Sequence, residues 1–193
     1  ELGVQSYLTR TSCDKITSES MDLELLYTDI RNLGIIFDVQ ERAEAEISKM
    51  KARVTELQQK AQAANLPEYS IWTYSGEDDP YPADGNGSMN ALIRMSGSKN
   101  AFGDKLDGYS EFSWEEIIAR NPDVVWVMTS AGVGFVEEAK GIESKLEADP
   151  RLSGVTAVKN HAYVILSYNE GGVPTPRNID ALEKLIDGLI ALQ

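Results

Sequence analysis

Residues 112–130 read FSWEEIIARNPDVVWVMTS, and the fold class turns on this stretch. Ser113 and Glu116 have the spacing of a capping box at the head of a helical pattern. Asn121-Pro122 stops that helix, because proline disfavours helical backbone at the residue before it. Val124 to Met128 is then an unbroken apolar run, the pattern of a parallel strand covered on both faces. The stretch is a compact helix-to-strand unit.

The same alternation extends in both directions. Residues 69–75, YSIWTYS, predict a buried strand, followed by a loop rich in Gly, Pro and acid, GEDDPYPADGNG, over 76–87. SMNALIRMSG predicts a short helix with Ser88 as its N-cap. A helical region covers about 133–148, with a break expected at Gly141. AYVILSY, residues 162–168, predicts the next strand. The loop NEGGVPTP leads to a closing helix whose buried face is Ile179, Leu182, Leu185, Ile186 and Leu189, with Pro176 near its first turn. This order predicts an α/β fold: a Rossmann-like three-layer lobe with a mostly parallel sheet, over residues 65–193. Such sheets bind ligands beyond the carboxyl ends of their strands, here the loops that begin at Tyr74-Ser75, Thr129-Ser130 and Tyr168-Asn169.

Upstream, Gly3 to Thr9 predicts a short strand and residues 9–20 a polar loop. Leu23, Leu26, Ile30 and Leu33 recur at helical spacing, with Gly34 expected to end the helix. Residues 39–64 hold no Gly or Pro, and Ala43, Ile47, Met50, Val54, Leu57 and Ala61 recur every three or four residues. At 1.5 Å per residue this helix is about 35–40 Å long. Its narrow apolar stripe fits a coiled-coil arm or a helix lying across a domain; the lack of a sustained heptad favours the second.

The 193 residues carry 18 Lys+Arg and 31 Asp+Glu, a net charge of −13, with 42% hydrophobic residues. The length can bury a core without covalent staples. The acidic balance argues against nucleic acid and anionic membrane surfaces. One Cys, Cys13, and one His, His161, exclude an intramolecular disulfide framework, a cysteine-rich zinc module and a His-cluster metal site. No apolar run reaches the roughly 18 residues that cross a bilayer. The start, ELGVQSYLTR, has neither a basic region with an apolar core nor an initiator Met, as expected of a chain whose leader has been removed.

Catalytic constellations are not evident. The chain has no GxGxxG, no GxxxxGK[ST] and no GxSxG. His161 beside Lys159-Asn160 reads as a turn residue, and Cys13 has no His near it in sequence. The acidic loop at 76–87 does not have EF-hand spacing. Tyr74, Tyr81, Tyr109 and Tyr168 all fall at predicted strand ends or in adjoining loops, where a phenol can stack on a ligand, donate a hydrogen bond or coordinate ferric iron.

Four stretches carry a resemblance to a known family: YTDIRNLGIIFDVQERAEAEISKMKARV (27–54), GSMNALIRMSGSKNAF (87–102), YSEFSWEEIIARNPDVVWV (109–127), and DPRLSGVTAVKNHAYVI (149–165) followed by TPRNIDALEKL (175–185). In order and spacing the chain is similar to the substrate-binding proteins of ABC importers for ferric siderophores, haem and cobalamin. The resemblance implies two α/β lobes joined by one long helix, with the ligand held between them and only small hinge motion. It implies that 1–38 is a remnant of the first lobe, 39–64 the connecting helix and 65–193 the second lobe. Apolar surface that packs within a first lobe would then be exposed and invite self-association.

Residue roles follow from that resemblance by position. Tyr74, Tyr81, Tyr109, Tyr168, Asn169 and Glu170 would line the ligand cleft. Glu115, with Glu116 beside it, would dock on basic residues of the permease, although first-turn acids are also what a helix dipole favours. Arg177 would be structural. The resemblance implies no catalytic residue, no resident metal and no cofactor; the ligand would be a ferric siderophore, haem or cobalamin, and the location extracytoplasmic, periplasmic or lipid-anchored. Two other readings compete. One is an enzyme such as a metal chelatase on a similar scaffold, which would want a His or acid cluster in the cleft. The other is an α/β interaction module with residues 39–64 as a coiled-coil arm.

Overall fold

Four strands, β1 (Ser70–Tyr74), β2 (Lys99–Asn100), β3 (Val124–Thr129) and β4 (Tyr163–Ser167), form one sheet in the order β2-β1-β3-β4, and every neighbouring pair is parallel. The computed structural model describes residues 6–9, 22–80, 83, 85–106, 112–130 and 135–193. The central strands are apolar on both faces because both are covered. Ile71, Val124, Trp126, Val164 and Leu166 point to one helical layer, and Trp72, Tyr74, Val125 and Val127 to the other.

The first layer is built from α1 (Leu23–Ile36), α2 (Gln40–Ala63), α3 (Ser88–Met95) and α8 (Asn178–Ala191). The second contains α4 (Trp114–Arg120), α5 (Phe135–Ala148) and α6 (Thr156–Lys159), with a 3-10 turn at Pro150–Leu152. A single helical turn, α7 (Tyr168–Gly171), follows β4 directly. The three-layer α/β expectation is met.

The boundaries of the decisive stretch hold. The Ser113 hydroxyl caps α4 by accepting from the Glu116 N–H at 3.1 Å. Asn121 closes the helix in left-handed backbone, φ 46°, and its side-chain carbonyl accepts from Thr156 N–H at 2.8 Å, which ties α4 to α6. The long helix is equally well placed. It does not project: Ala43, Ile47, Leu57 and Ala61 are buried, and the helix packs on α1 and on α8. Lys51 pairs with Glu24 at 2.7 Å, while Arg53 and Lys60 pair with Glu183 and Asp187 of α8. This overturns the reading of residues 39–64 as a free coiled-coil arm.

Four local expectations are corrected. Residues 6–9 form no strand; the Tyr7 side chain packs by α1, its hydroxyl donating to Asp29 at 2.8 Å and accepting from Asn32 Nδ2 at 2.8 Å. Residues 3–5 lie outside the described ones. Helix α1 runs past Gly34 to Ile36, and Asp38 takes the positive φ of 55°. Gly34 serves packing, since a Cβ there would meet Ala43 Cβ at 2.6 Å where α1 and α2 touch. Gly87, φ 142°, caps α3 in place of Ser88, whose hydroxyl donates to the Gly171 carbonyl at 2.7 Å. Gly141 does not break α5, which is continuous to Ala148.

Where α1 meets α2, Ile35, Ile36 and Phe37 are 59%, 53% and 68% exposed.

Candidate functional site

Parallel strands bring their carboxyl ends to one edge, and that edge carries a crevice of about 380 Å³. Its floor comes from the end of β3, Met128 and Thr129, and from Ser130 just beyond. Ser75 and Glu77 after β1, Glu138 of α5 and Tyr168 of α7 form the walls. A smaller hollow of about 170 Å³ adjoins it through Ser130 and is lined by Phe135, Ile165, Glu170 and Lys184, among others. Helix α4 runs back against the strands, so its start reaches the same edge; Trp114 Nε1–H donates to the Asp78 carbonyl at 3.3 Å.

Thr129 is the most informative residue of the crevice. It is 1% exposed, and its hydroxyl has no hydrogen-bond partner in the protein. A buried hydroxyl left unpaired costs about 1–3 kcal/mol, a state Thr129 shares with five other buried side-chain atoms among the described residues, Trp126 Nε1 and Tyr163 Oη included. Beside it, the Ser130 N–H donates to both Glu138 carboxylate oxygens at 3.0 and 3.1 Å, and the Ser130 hydroxyl donates at 2.7 Å. That chelate-like grip ties α5 to the end of β3.

The expected site residues divide into three groups. Tyr168 (37% exposed) and Asn169 lie open at the edge on α7. Glu170 lies beside them, though its carboxylate is committed. It completes a capping box with Ser167 and pairs with Lys184. Burial pushes this carboxyl up, but the Lys184 ammonium and the Ser167 hydrogen bonds outweigh that and hold it below the usual value. Tyr74 is 1% exposed, its ring tilted against Trp72 and edge-to-face with Trp114. Its hydroxyl donates to the Glu77 carbonyl at 2.6 Å, and burial raises its pKa. It therefore supports the loop after β1 from beneath rather than presenting its ring. Tyr81 and Tyr109 lie outside the described residues.

Glu115 and Glu116 occupy the first turn of α4. Glu115 is exposed. Glu116 is drawn to Arg120 at 2.8 Å, and Arg120 also holds Asp104 and the Ala101 carbonyl. His161 is a turn residue, φ 51°, with Nδ1 2.7 Å from Glu147.

Sequence reading missed Thr129, Ser130 and Glu138 as site residues. The strand-end position of the first two was visible, but a Thr closing an apolar run carries no sign that its hydroxyl will be orphaned. Asn178 was missed as well. Buried at the head of α8, its Nδ2 donates to the Glu170 and Val173 carbonyls at 2.7 and 2.9 Å and so fixes the loop that carries α7.

Residues 4–168 match the family described as periplasmic binding protein. The chain belongs to that family. A relative from Bacillus subtilis (strain 168), described as the uncharacterized ABC transporter substrate-binding lipoprotein YvrC, is 24% identical over 174 residues, which cover 89% of this chain and 52% of the relative. The structure of a periplasmic binding protein from Veillonella parvula superposes with a TM-score of 0.79 at 26% identity, covering 89% of this chain and 58% of that one. An ABC-type Fe3+-hydroxamate transport system from Saccharomonospora viridis superposes at 0.78 with 18% identity, covering 96% and 62%. The chain thus spans between half and two thirds of the length of these family relatives. By their descriptions they are binding and transport proteins.

Proposed function

We propose that this chain belongs to the extracytoplasmic solute-binding component of an ABC importer, which takes a ferric siderophore, or haem or cobalamin, into a cleft and hands it to a permease. The observation that carries the reading is the strand-end crevice in a chain whose residues 4–168 match the periplasmic binding protein family. No resident metal or cofactor is part of this reading. Tyr168 and Asn169 would contact the ligand, with Tyr81 and Tyr109 placed there by resemblance alone. Glu170 would position α7, and Tyr74 would brace the β1 loop. Exposed Glu115, with Glu116 beside it in the first turn of α4, would meet basic permease residues.

Trp72 and Trp126 are fully buried in the sheet beneath this edge, and Trp114 stands beside the β1 loop. Titration of the complete gene product with ferric siderophores, haem and cobalamin should quench their fluorescence saturably for one ligand, in the submicromolar range. Thr129→Val keeps the shape and removes the orphan hydroxyl. It should leave thermal stability equal or higher while weakening that ligand at least threefold. Unchanged affinity in a folded T129V protein removes the Thr129 hydroxyl from the site.

A further inference from the structure

Helix α7 is a single turn, and a single turn does not hold itself in water. Its start is secured by the capping box of Ser167 and Glu170. A helix end leaves backbone carbonyls unpaired, and at α7 buried side chains from two other helices meet them. Asn178 Nδ2, at the head of α8, donates to the Glu170 carbonyl at 2.7 Å and to the Val173 carbonyl at 2.9 Å. The Asn178 side-chain oxygen accepts from Thr175 N–H at 3.0 Å, which fixes the way the amide faces. The Ser88 hydroxyl, in the first turn of α3, donates to the Gly171 carbonyl at 2.7 Å. Asn178 is 1% exposed and Ser88 is buried with it. Gly171 itself lies against the Trp126 indole, which leaves no space for a Cβ. The remaining hold, Lys184 on Glu170, is half exposed and therefore weak. On its open side the same turn carries Tyr168 and Asn169, both exposed, with Tyr168 in the crevice wall. Neither Asn178 nor Ser88 lines that crevice.

Building on the proposed reading of Tyr168 and Asn169 as ligand contacts, we infer that Asn178 and Ser88 are positioning residues of the ligand site. They hold α7 in the one seat that presents those two side chains, and so set affinity without touching the ligand. The physical reason is preorganisation. Apparent affinity falls with the fraction of molecules whose α7 occupies that seat, and three buried hydrogen bonds from α3 and α8 keep it there. Asn178→Asp is nearly isosteric and keeps the acceptor for Thr175. It removes both donations and sets a carboxylate against two carbonyl oxygens. Ser88→Ala removes one bond and adds no charge.

The test is titration of the complete gene product with ferrichrome, ferric enterobactin, haem and cobalamin, followed by tryptophan fluorescence. The probe that binds wild type is carried to the variants. Two ordinary hydrogen bonds are lost in N178D, so its affinity should fall at least about tenfold, and that of S88A about threefold. The same substitutions are then made in a Tyr168→Ala background. There N178D should cost threefold or less, because α7 no longer carries the ring that it positions. A general loosening of the fold would weaken both backgrounds by the same factor. S88A carries the same comparison if N178D does not fold. Unchanged affinity in folded N178D and S88A overturns the inference and leaves the importer reading standing. Equal losses in the two backgrounds, or wild-type affinity in Tyr168→Ala alone, do the same. Saturable binding of none of the four probes, by folded wild-type protein, overturns the importer reading and the inference together.

Discussion

Leu57→Ala tests whether α2 is an integral part of the lobe. Leu57 is 1% exposed and packs in the cluster formed by α1, α2, α3, α8 and the sheet. The substitution removes three buried carbons. At about 0.8 kcal/mol per buried methylene the transfer loss is about 2–2.5 kcal/mol. Neighbours on four elements cannot all close in, so a residual cavity raises the cost to about 3–4 kcal/mol. Helix propensity hardly changes, since Ala is at least as good a helix former as Leu. Urea unfolding followed by circular dichroism reads this directly: with a slope of about 2–3 kcal/mol/M, the midpoint should fall by roughly 1–2 M. Gln59→Ala, two residues away on the exposed face, is the control and should stay within about 0.5 kcal/mol. If L57A also stays within about 0.5 kcal/mol, α2 is not docked on the lobe in solution and the argument from its buried stripe is wrong.

Two further outcomes follow from close packing and burial. In Gly171→Ala the new Cβ would lie 2.3 Å from Cζ2 and 2.7 Å from Cη2 of Trp126, a ring with no exposed surface; the expected cost is about 1–3 kcal/mol, a Tm lower by roughly 2–12 °C, with an altered near-ultraviolet tryptophan band. An unchanged Tm and band would show that α7 does not press on β3. Burial first, then the charges of Glu24 and Asp22, push the Tyr27 phenol from 10.0 up to about 12. Because the folded value is the higher one, this contribution to stability is complete below pH 10 and is lost as the pH rises from 10 to 12. Tyr27→Phe should flatten that alkaline limb, and superimposable curves for the two proteins would rule the account out.

Much of the fold was legible because it is written in local periodicity. The run Val124–Met128, the caps Ser113 and Asn121, and the stripe from Ala43 to Ala61 each specify an element within a few residues. The failures have a common cause. Gly34 and Ser88 were read as punctuation, yet Gly34 exists for its contact with Ala43, and the Ser88 hydroxyl reaches the Gly171 carbonyl, 83 residues away. Residues 6–9 alternate like a strand but sit beside a helix, and a strand exists only where another strand pairs with it.

The candidate site was less legible than the fold. Its location followed from topology, since parallel strands collect their carboxyl ends at one edge. The accessibility of each side chain did not. Tyr74 and Tyr168 both close a strand pattern, but Tyr74 turns into the core while Tyr168 begins a helical turn that carries it into the open.

The sequence by itself determined the α/β alternation, the long helix, the family resemblance and the acidic character of the strand-end loops. These depend on composition and on spacings of two to four residues, which no distant contact rewrites. Only the tertiary structure decided which side chains anchor α7, which tyrosine is buried, and that the Thr129 hydroxyl lacks a partner. Those properties belong to pairs of residues far apart in the chain, and packing alone brings such pairs together.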